Sequence, residues 1–143
     1  MAEPPSAADE LARLAVDTAY HLHRQLGPGL LESVYETILE NSFRRMGLKV
    51  DRQRPVDIHY DGLFVRDAFR VDLLLDDLLV IELKSSEKMA PVYGKQVLTY
   101  LRLMKLPLGL LINFGLPSAR EGIRRVVNSY DPLAPSRLGV RSP

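Results

Sequence analysis

Cysteine is absent from the 143 residues, which excludes a disulfide framework, a thiolate metal site and a cysteine nucleophile. A surplus of either charge is missing too, since 19 basic and 18 acidic residues leave a formal net charge of +1. That balance excludes a protein that holds nucleic acid chiefly through its overall charge, because neutralising phosphates needs a dense basic surface. Arginines gather only in short groups, at Arg44–Arg45, at Arg52 with Arg54, and at Arg124–Arg125. A local basic patch is the most this allows. No apolar run is long enough to span a bilayer, and the opening MAEPPSAADELARL has no basic region followed by an apolar one. The expectation is a soluble, cytoplasmic protein with no membrane partner. At this length one domain buries a sizeable core unaided.

What is present is strong periodicity. Leu11, Leu14, Ala15, Ala19, Leu22 and Leu26 recur at three- and four-residue intervals, which predicts a helix over residues 6–26. Gly27-Pro28-Gly29 ends it. A second helix is expected over 30–46, with Leu31, Val34, Tyr35, Ile38, Leu39 and Phe43 as its apolar stripe and Gly47 as its stop. Val56, Ile58 and Tyr60 then alternate, a half-buried strand over 50–60 closed by the turn Asp61-Gly62. Strands follow over 63–75 and 78–84, separated by Asp76-Asp77, read as a solvated turn. Residues 91–104 are helical, with Val92, Val97, Leu98, Leu101 and Met104 inward. LGLLINF (108–114) is apolar enough for a central strand buried on both faces. Residues 122–128 fit either a strand or a short helix. The predicted domain covers 1–130, and 131–143 reads as a flexible tail. The order helix, helix, three strands, helix, strand gives an α/β (α+β) fold, a mixed sheet of four to five strands with helices on its faces. An edge strand or the apolar first helix offers a route to a homodimer.

Charges inside this pattern carry the chemistry. In VIELK, Glu82 and Lys84 share one face of an otherwise apolar strand. Alone, such a pair is more often a surface ion pair stabilising by well under about 1 kcal/mol. In FRVDLLL, however, Asp72 is a second carboxylate in the preceding strand, with Phe69, Val71, Leu73 and Leu75 expected on the opposite face from it. Neighbouring buried carboxylates need a partner. A divalent cation serves, since magnesium takes one or two carboxylates plus water and phosphate oxygens. Asp72 and Glu82 are the candidate ligands, and the Leu83 carbonyl a third oxygen. Lys84 is then placed to position a water and offset charge on a phosphate oxygen. Glu32, opening the second helix, could close the site, although the helix dipole alone would favour an acid there. Gln96 and Tyr100 share a face of the third helix and could orient water or substrate. Tyr35 and Tyr100 are weaker candidates for substrate contact; Tyr93 and Tyr100 could stack bases, or simply pack. His21 and His23 cannot share a helix face, and with His59 distant they read as partly exposed residues rather than metal ligands. Gly27-Pro28-Gly29 lacks the lysine of a phosphate loop.

The arrangement Asp72-(x)9-Glu82-x-Lys84, in this order of helices and strands, resembles the PD-(D/E)XK nuclease superfamily. More narrowly, Gly29-Leu30-Leu31-Glu32-Ser33-Val34-Tyr35 is similar to the pattern that names the GxxExxY protein family, assigned to that superfamily. The resemblance runs over residues 17–128 through HRQLGPGLLESVYE, FRVDLLL, VIELKSSEKMAPV, QVLTYLRL and GLLINFG. It implies a restriction-endonuclease-like core and Mg²⁺- or Mn²⁺-dependent phosphodiester hydrolysis on DNA or RNA. Asp72 and Glu82 would be metal ligands, Lys84 the active-site lysine, Glu32 the helix acid and Gln96 an accessory residue. Val71 stands where the namesake proline would precede the aspartate, and Tyr93 where many relatives carry histidine. Two other functions fit the same residues: an inactive module of this fold that binds nucleic acid or a protein, and a binder of a nucleotide-like phosphometabolite.

Overall fold

Ser6 and Asp9 start the first helix by capping each other. The Ser6 hydroxyl accepts from the Asp9 N–H at 3.1 Å, and the Asp9 carboxylate accepts from the Ser6 N–H at 3.2 Å, satisfying donors that a helix start leaves open. This helix, α1 (Ala7–Leu26), opens a computed structural model that describes residues 6–129. The expected tail over 131–143 lies outside the described residues. After α1 come α2 (Glu32–Arg45), β1 (Val50–Tyr60), β2 (Leu63–Leu75), β3 (Leu79–Lys84), α3 (Pro91–Met104), β4 (Leu108–Asn113), α4 (Ala119–Gly122) and β5 (Ile123–Val127). The ambiguous segment near residue 122 is both things in turn, a short helix and then a strand.

The five strands stand in the order β1-β2-β3-β4-β5. Neighbours are antiparallel except β3 and β4, which run parallel and are joined through α3. Asp61 and Gly62 both have positive φ, 52° and 77°, as the tightest hairpin turn requires. Asp76 and Asp77 do the same at 50° and 56°, yet they are more than a solvated turn. The Asp76 carboxylate accepts the Lys49 N–H at 2.8 Å, and Asp77 pairs with the Lys49 ammonium at 2.7 Å. That turn pins the entry to β1.

Two cores sandwich the sheet. Ala15 and Ala19 of α1 and Tyr35, Leu39 and Phe43 of α2 pack on Leu73, Leu75, Leu79, Ile81, Leu83, Leu110 and Ile112. On the other face Val97 and Leu101 of α3 pack on Val71, Leu74, Val80 and Leu111. Further expectations need correcting, and among them Leu26 and Val34 are exposed, not part of the apolar stripes of their helices. Leu31 precedes α2 as its N-cap and is exposed, as is Val92 at the start of α3, so neither joins an apolar stripe. His23 is buried, its Nε2 2.9 Å from the Leu116 carbonyl, rather than partly exposed. Phe69 and Val71 do not share a core with Leu73 and Leu75; they belong with Leu74 on the α3 side. The break falls at Asp72. Opposite it, Gln53 has φ 50°, and the ladder passes from Arg52↔Leu73 to Arg54↔Val71 without a pair at Gln53. A strand interrupted this way no longer alternates strictly.

Candidate active site

On its other side β2 also loses its partner at Asp72. Pairing with β3 runs Leu75↔Leu79, Leu74↔Val80 and Leu73↔Ile81, and then stops. Continuing that register would set Asp72 directly opposite Glu82. Side chains bridge the opening instead. The Asp72 N–H donates to Glu82 Oε1 at 3.0 Å, and the Leu83 N–H donates to Asp72 Oδ2 at 2.8 Å. Gln53 donates to Asp72 Oδ1 at 3.0 Å. Both oxygens of Asp72 are therefore engaged. The second oxygen of Glu82 receives no hydrogen bond from the described residues, although Glu82 is only 5% exposed.

Glu82 makes no ion pair with Lys84 among the described residues, so the surface-pair reading of VIELK does not describe this strand. Burial, and next the negative charge of Asp72, push the Glu82 carboxyl up to about 8; the Asp72 N–H and Lys84 pull the other way, and Glu32 adds to the rise. Lys84 instead seats its ammonium 4.8 Å from the centre of the Tyr93 ring. Tyr100 lies within reach of the same field. Burial, then the charges on Glu82 and Asp72, hold its phenol above the ordinary value, while a hydrogen bond with Gln96 acts against them. Its ring stacks on Phe69, 4.1 Å between centres. The fold thus gathers Asp72, Glu82, Lys84, Gln96 and Tyr100, with Glu32 electrostatically coupled from the exposed start of α2.

Tyr35 is not part of that group. It is fully buried and stacked on Phe114 at 4.2 Å, so a substrate cannot reach it. Its hydroxyl donates to the Gly27 carbonyl at 2.5 Å and accepts the Leu30 N–H at 3.3 Å, which shapes the loop delivering Glu32. That loop is latched to the end of β3 by Ser85, whose hydroxyl donates to the Leu30 carbonyl at 2.6 Å. Between them lies a cleft of about 730 Å³ lined in part by Gly29, Leu31, Glu32, Ser85, Ser86 and Gly115. Its far wall is fixed by Asn113, almost fully buried, whose Oδ1 accepts the N–H groups of Ser86 and Gly115 and whose Nδ2 donates to the Lys88 carbonyl. A side chain on Gly115 would put Cβ 2.3 Å from the Ser86 carbonyl oxygen, so Gly115 and Ser86 pack backbone against backbone.

The family model described as the PD-(D/E)XK nuclease superfamily matches residues 9–126. The chain belongs to that superfamily. The solved structure of SSO0001 has a similar fold, with a TM-score of 0.50 at 20% sequence identity over 85% of this chain. The chain spans 60% of that structure. No curated protein matches the sequence.

PD-(D/E)XK nucleases typically use divalent metals, and the donors here fit such an ion in kind: two hard carboxylates, one with a free oxygen. Among the described residues no group of three or more His, Cys, Asp and Glu is gathered as a metal cluster. An ion here would rest on the two carboxylates, with a neighbouring backbone carbonyl oxygen and water as further donors. Sequence reasoning missed Gln53, and did not single out Asn113. Gln53 lies between two arginines in VDRQRP and looks like a solvent-facing strand residue. Asn113 carried a signal, an amide inside the apolar run LGLLINF, and such a residue needs partners when buried.

Proposed function

We propose that this chain is a metal-dependent nuclease, hydrolysing phosphodiester bonds of DNA or RNA at Asp72, Glu82 and Lys84. The observation that carries the reading is the carboxylate pair across the opening between β2 and β3, where Glu82 is buried, strongly destabilised as an anion and, among the described residues, without a cation bound to it. Asp72 and Glu82, with the Leu83 carbonyl as a third oxygen, are the groups to hold Mg²⁺ or Mn²⁺. When bound, the ion would supply Lewis-acid stabilisation of the phosphate and a more acidic water. Lys84, supported by the Tyr93 face, brings a positive charge to the phosphate oxygen on which charge develops. Gln96, joined to Tyr100, stands on the α3 side to orient the attacking water or the scissile phosphate. Glu32 closes the cleft side. The run Gly29–Tyr35 supports the finer assignment to the GxxExxY family.

The test is cleavage of single-stranded, duplex and branched DNA and RNA with Mg²⁺ and with Mn²⁺. Asp72→Ala should abolish it and Lys84→Ala should slow it about 100- to 1,000-fold, while the protein stays folded. No cleavage of any of these substrates with either metal overturns the reading. The near-neutral charge favours one alternative, a non-catalytic binding module; nucleic-acid binding that survives both EDTA and Asp72→Ala would select it.

A further inference from the structure

Gln53 stands between two carboxylates. Its Nε2 lies 2.8 and 3.2 Å from the oxygens of Glu36 and 3.0 Å from Oδ1 of Asp72. An amide NH₂ carries two donors and a carboxylate carries none, so only this end of the side chain can serve both neighbours. Glu36 is buried, and Arg52 meets it with Nε at 3.2 Å from Oε1. Arg52 is itself held by Glu40 at 3.3 Å and by the Ser33 carbonyl at 3.4 Å. A continuous path therefore runs from α2 through Arg52, Glu36 and Gln53 to Asp72, and onward from Asp72 to the Leu83 N–H.

The backbone gives an independent sign. Gln53 has φ 50°, a left-handed conformation that side-chain-bearing residues other than Asn and Asp seldom adopt. Its neighbours Arg52 and Arg54 pair in one continuous register with β2 while position 53 between them drops out; Asp57, further along at a register shift, is also unpaired. Strain of this kind persists where surrounding contacts over-determine it, and such places cluster at functional sites. Here the contacts are the two carboxylates.

We propose that Gln53 is a positioning residue for the reaction: its amide fixes Oδ1 of Asp72, and the Glu36–Arg52 pair anchors the amide. The inference rests on the metal-site reading above. In the ionised state that binds a cation, Asp72 and Glu82 repel each other, and a carboxylate free to rotate would turn its charge away from its neighbour. Bonds at Oδ1 and Oδ2 hold Asp72 in one orientation beside Glu82, ready for a shared cation. Partners that orient metal-binding carboxylates commonly matter this much to affinity.

The test uses the full chain and Mn²⁺ alone as probe, with binding followed by calorimetry and by the electron paramagnetic resonance signal of the ion. Glycine is at ease at this φ, so Gln53→Gly removes the amide and relieves the backbone together. The expected result is a melting temperature at or above that of the unaltered chain, with Mn²⁺ bound roughly 10- to 100-fold more weakly. Gln53→Asn also tolerates this backbone but is one methylene too short to span both carboxylates. It should show the same loss, and it decides the matter should the glycine variant not fold. Unchanged Mn²⁺ affinity in a folded variant overturns the role of Gln53 and leaves the metal site standing. Absence of Mn²⁺ binding by the unaltered chain overturns both.

Discussion

The N–H of Asp72 donates to the carboxylate of Glu82 at 3.0 Å, across the opening where β2 and β3 stop pairing. With the return bond from Leu83 N–H to Asp72, each carboxylate is tied to the opposite strand's backbone. Once Glu82 ionises, the chain therefore holds two like charges together. Asp72→Asn removes one charge and keeps an acceptor for Leu83. The new NH₂ then faces the Gln53 donor where Oδ1 had accepted, so stability should fall by about 1–2 kcal/mol. Divalent-cation binding and cleavage should be lost. Thermal melts run beside a Mn²⁺ titration check this, and a folded Asp72→Asn that binds Mn²⁺ normally would refute it.

Glu82 gives the site a pH signature. Its carboxyl stands at about 8 in the fold against an ordinary 4.5, chiefly through burial and then the charge of Asp72. The folded state thus holds this proton more tightly than the unfolded chain. The stability contributed is fully present below pH 4.5 and is lost as pH rises to about 8, by an amount on the order of a few kcal/mol. Glu82→Gln, which stays neutral, should gain on the parent through that window and then run parallel to it. Denaturant melts of both proteins from pH 4 to 9 measure the difference. A cation must also displace the proton, so Mn²⁺ affinity should climb with pH until about 8.

Tyr35 tests the loop that carries Glu32. Tyr35→Phe keeps the ring stacked on Phe114 and deletes the bonds to Gly27 and Leu30. The expected cost is about 1 kcal/mol of stability. Cleavage should fall more than the melting temperature suggests, because the loop also delivers Glu32 to the cleft. Equal activity at reduced stability would assign the hydroxyl to folding alone.

The sequence displayed some of this directly and hid the rest for physical reasons. Strands β1 and β2 and helix α3 were legible to the residue because periodicity and the Asp61-Gly62 turn are local signals. Asp72 and Glu82 stood out because carboxylates in apolar strands have no cheap explanation. Which core receives Phe69 and Val71 was not legible, since it depends on Gln53 adopting a left-handed backbone in the neighbouring strand. Gln53 itself is an uncharged residue between arginines, and its position comes from a tertiary contact with α2. Tyr35 was visible in the Gly29–Tyr35 run, but only packing could tell a core tyrosine from one facing a substrate.

Lys84 offers the last test. Its ammonium rests 4.8 Å from the centre of the Tyr93 ring and makes no ion pair among the described residues. A ring face attracts a cation by roughly 0.5–2 kcal/mol depending on solvent, enough to select one rotamer of a long side chain without neutralising it. A carboxylate partner would bind harder and compete with the phosphate. Tyr93→Phe preserves the face and should leave kcat near the parent value. Tyr93→Leu removes it, and kcat should fall roughly tenfold, the kinetic equivalent of about 1.4 kcal/mol, with little change in melting temperature. Lys84→Ala should cost about 100- to 1,000-fold, as loss of a charge-stabilising group does. Steady-state cleavage rates for the three variants measure the series, and a Tyr93→Leu protein as fast as Tyr93→Phe would show that the ring does not hold the lysine in place.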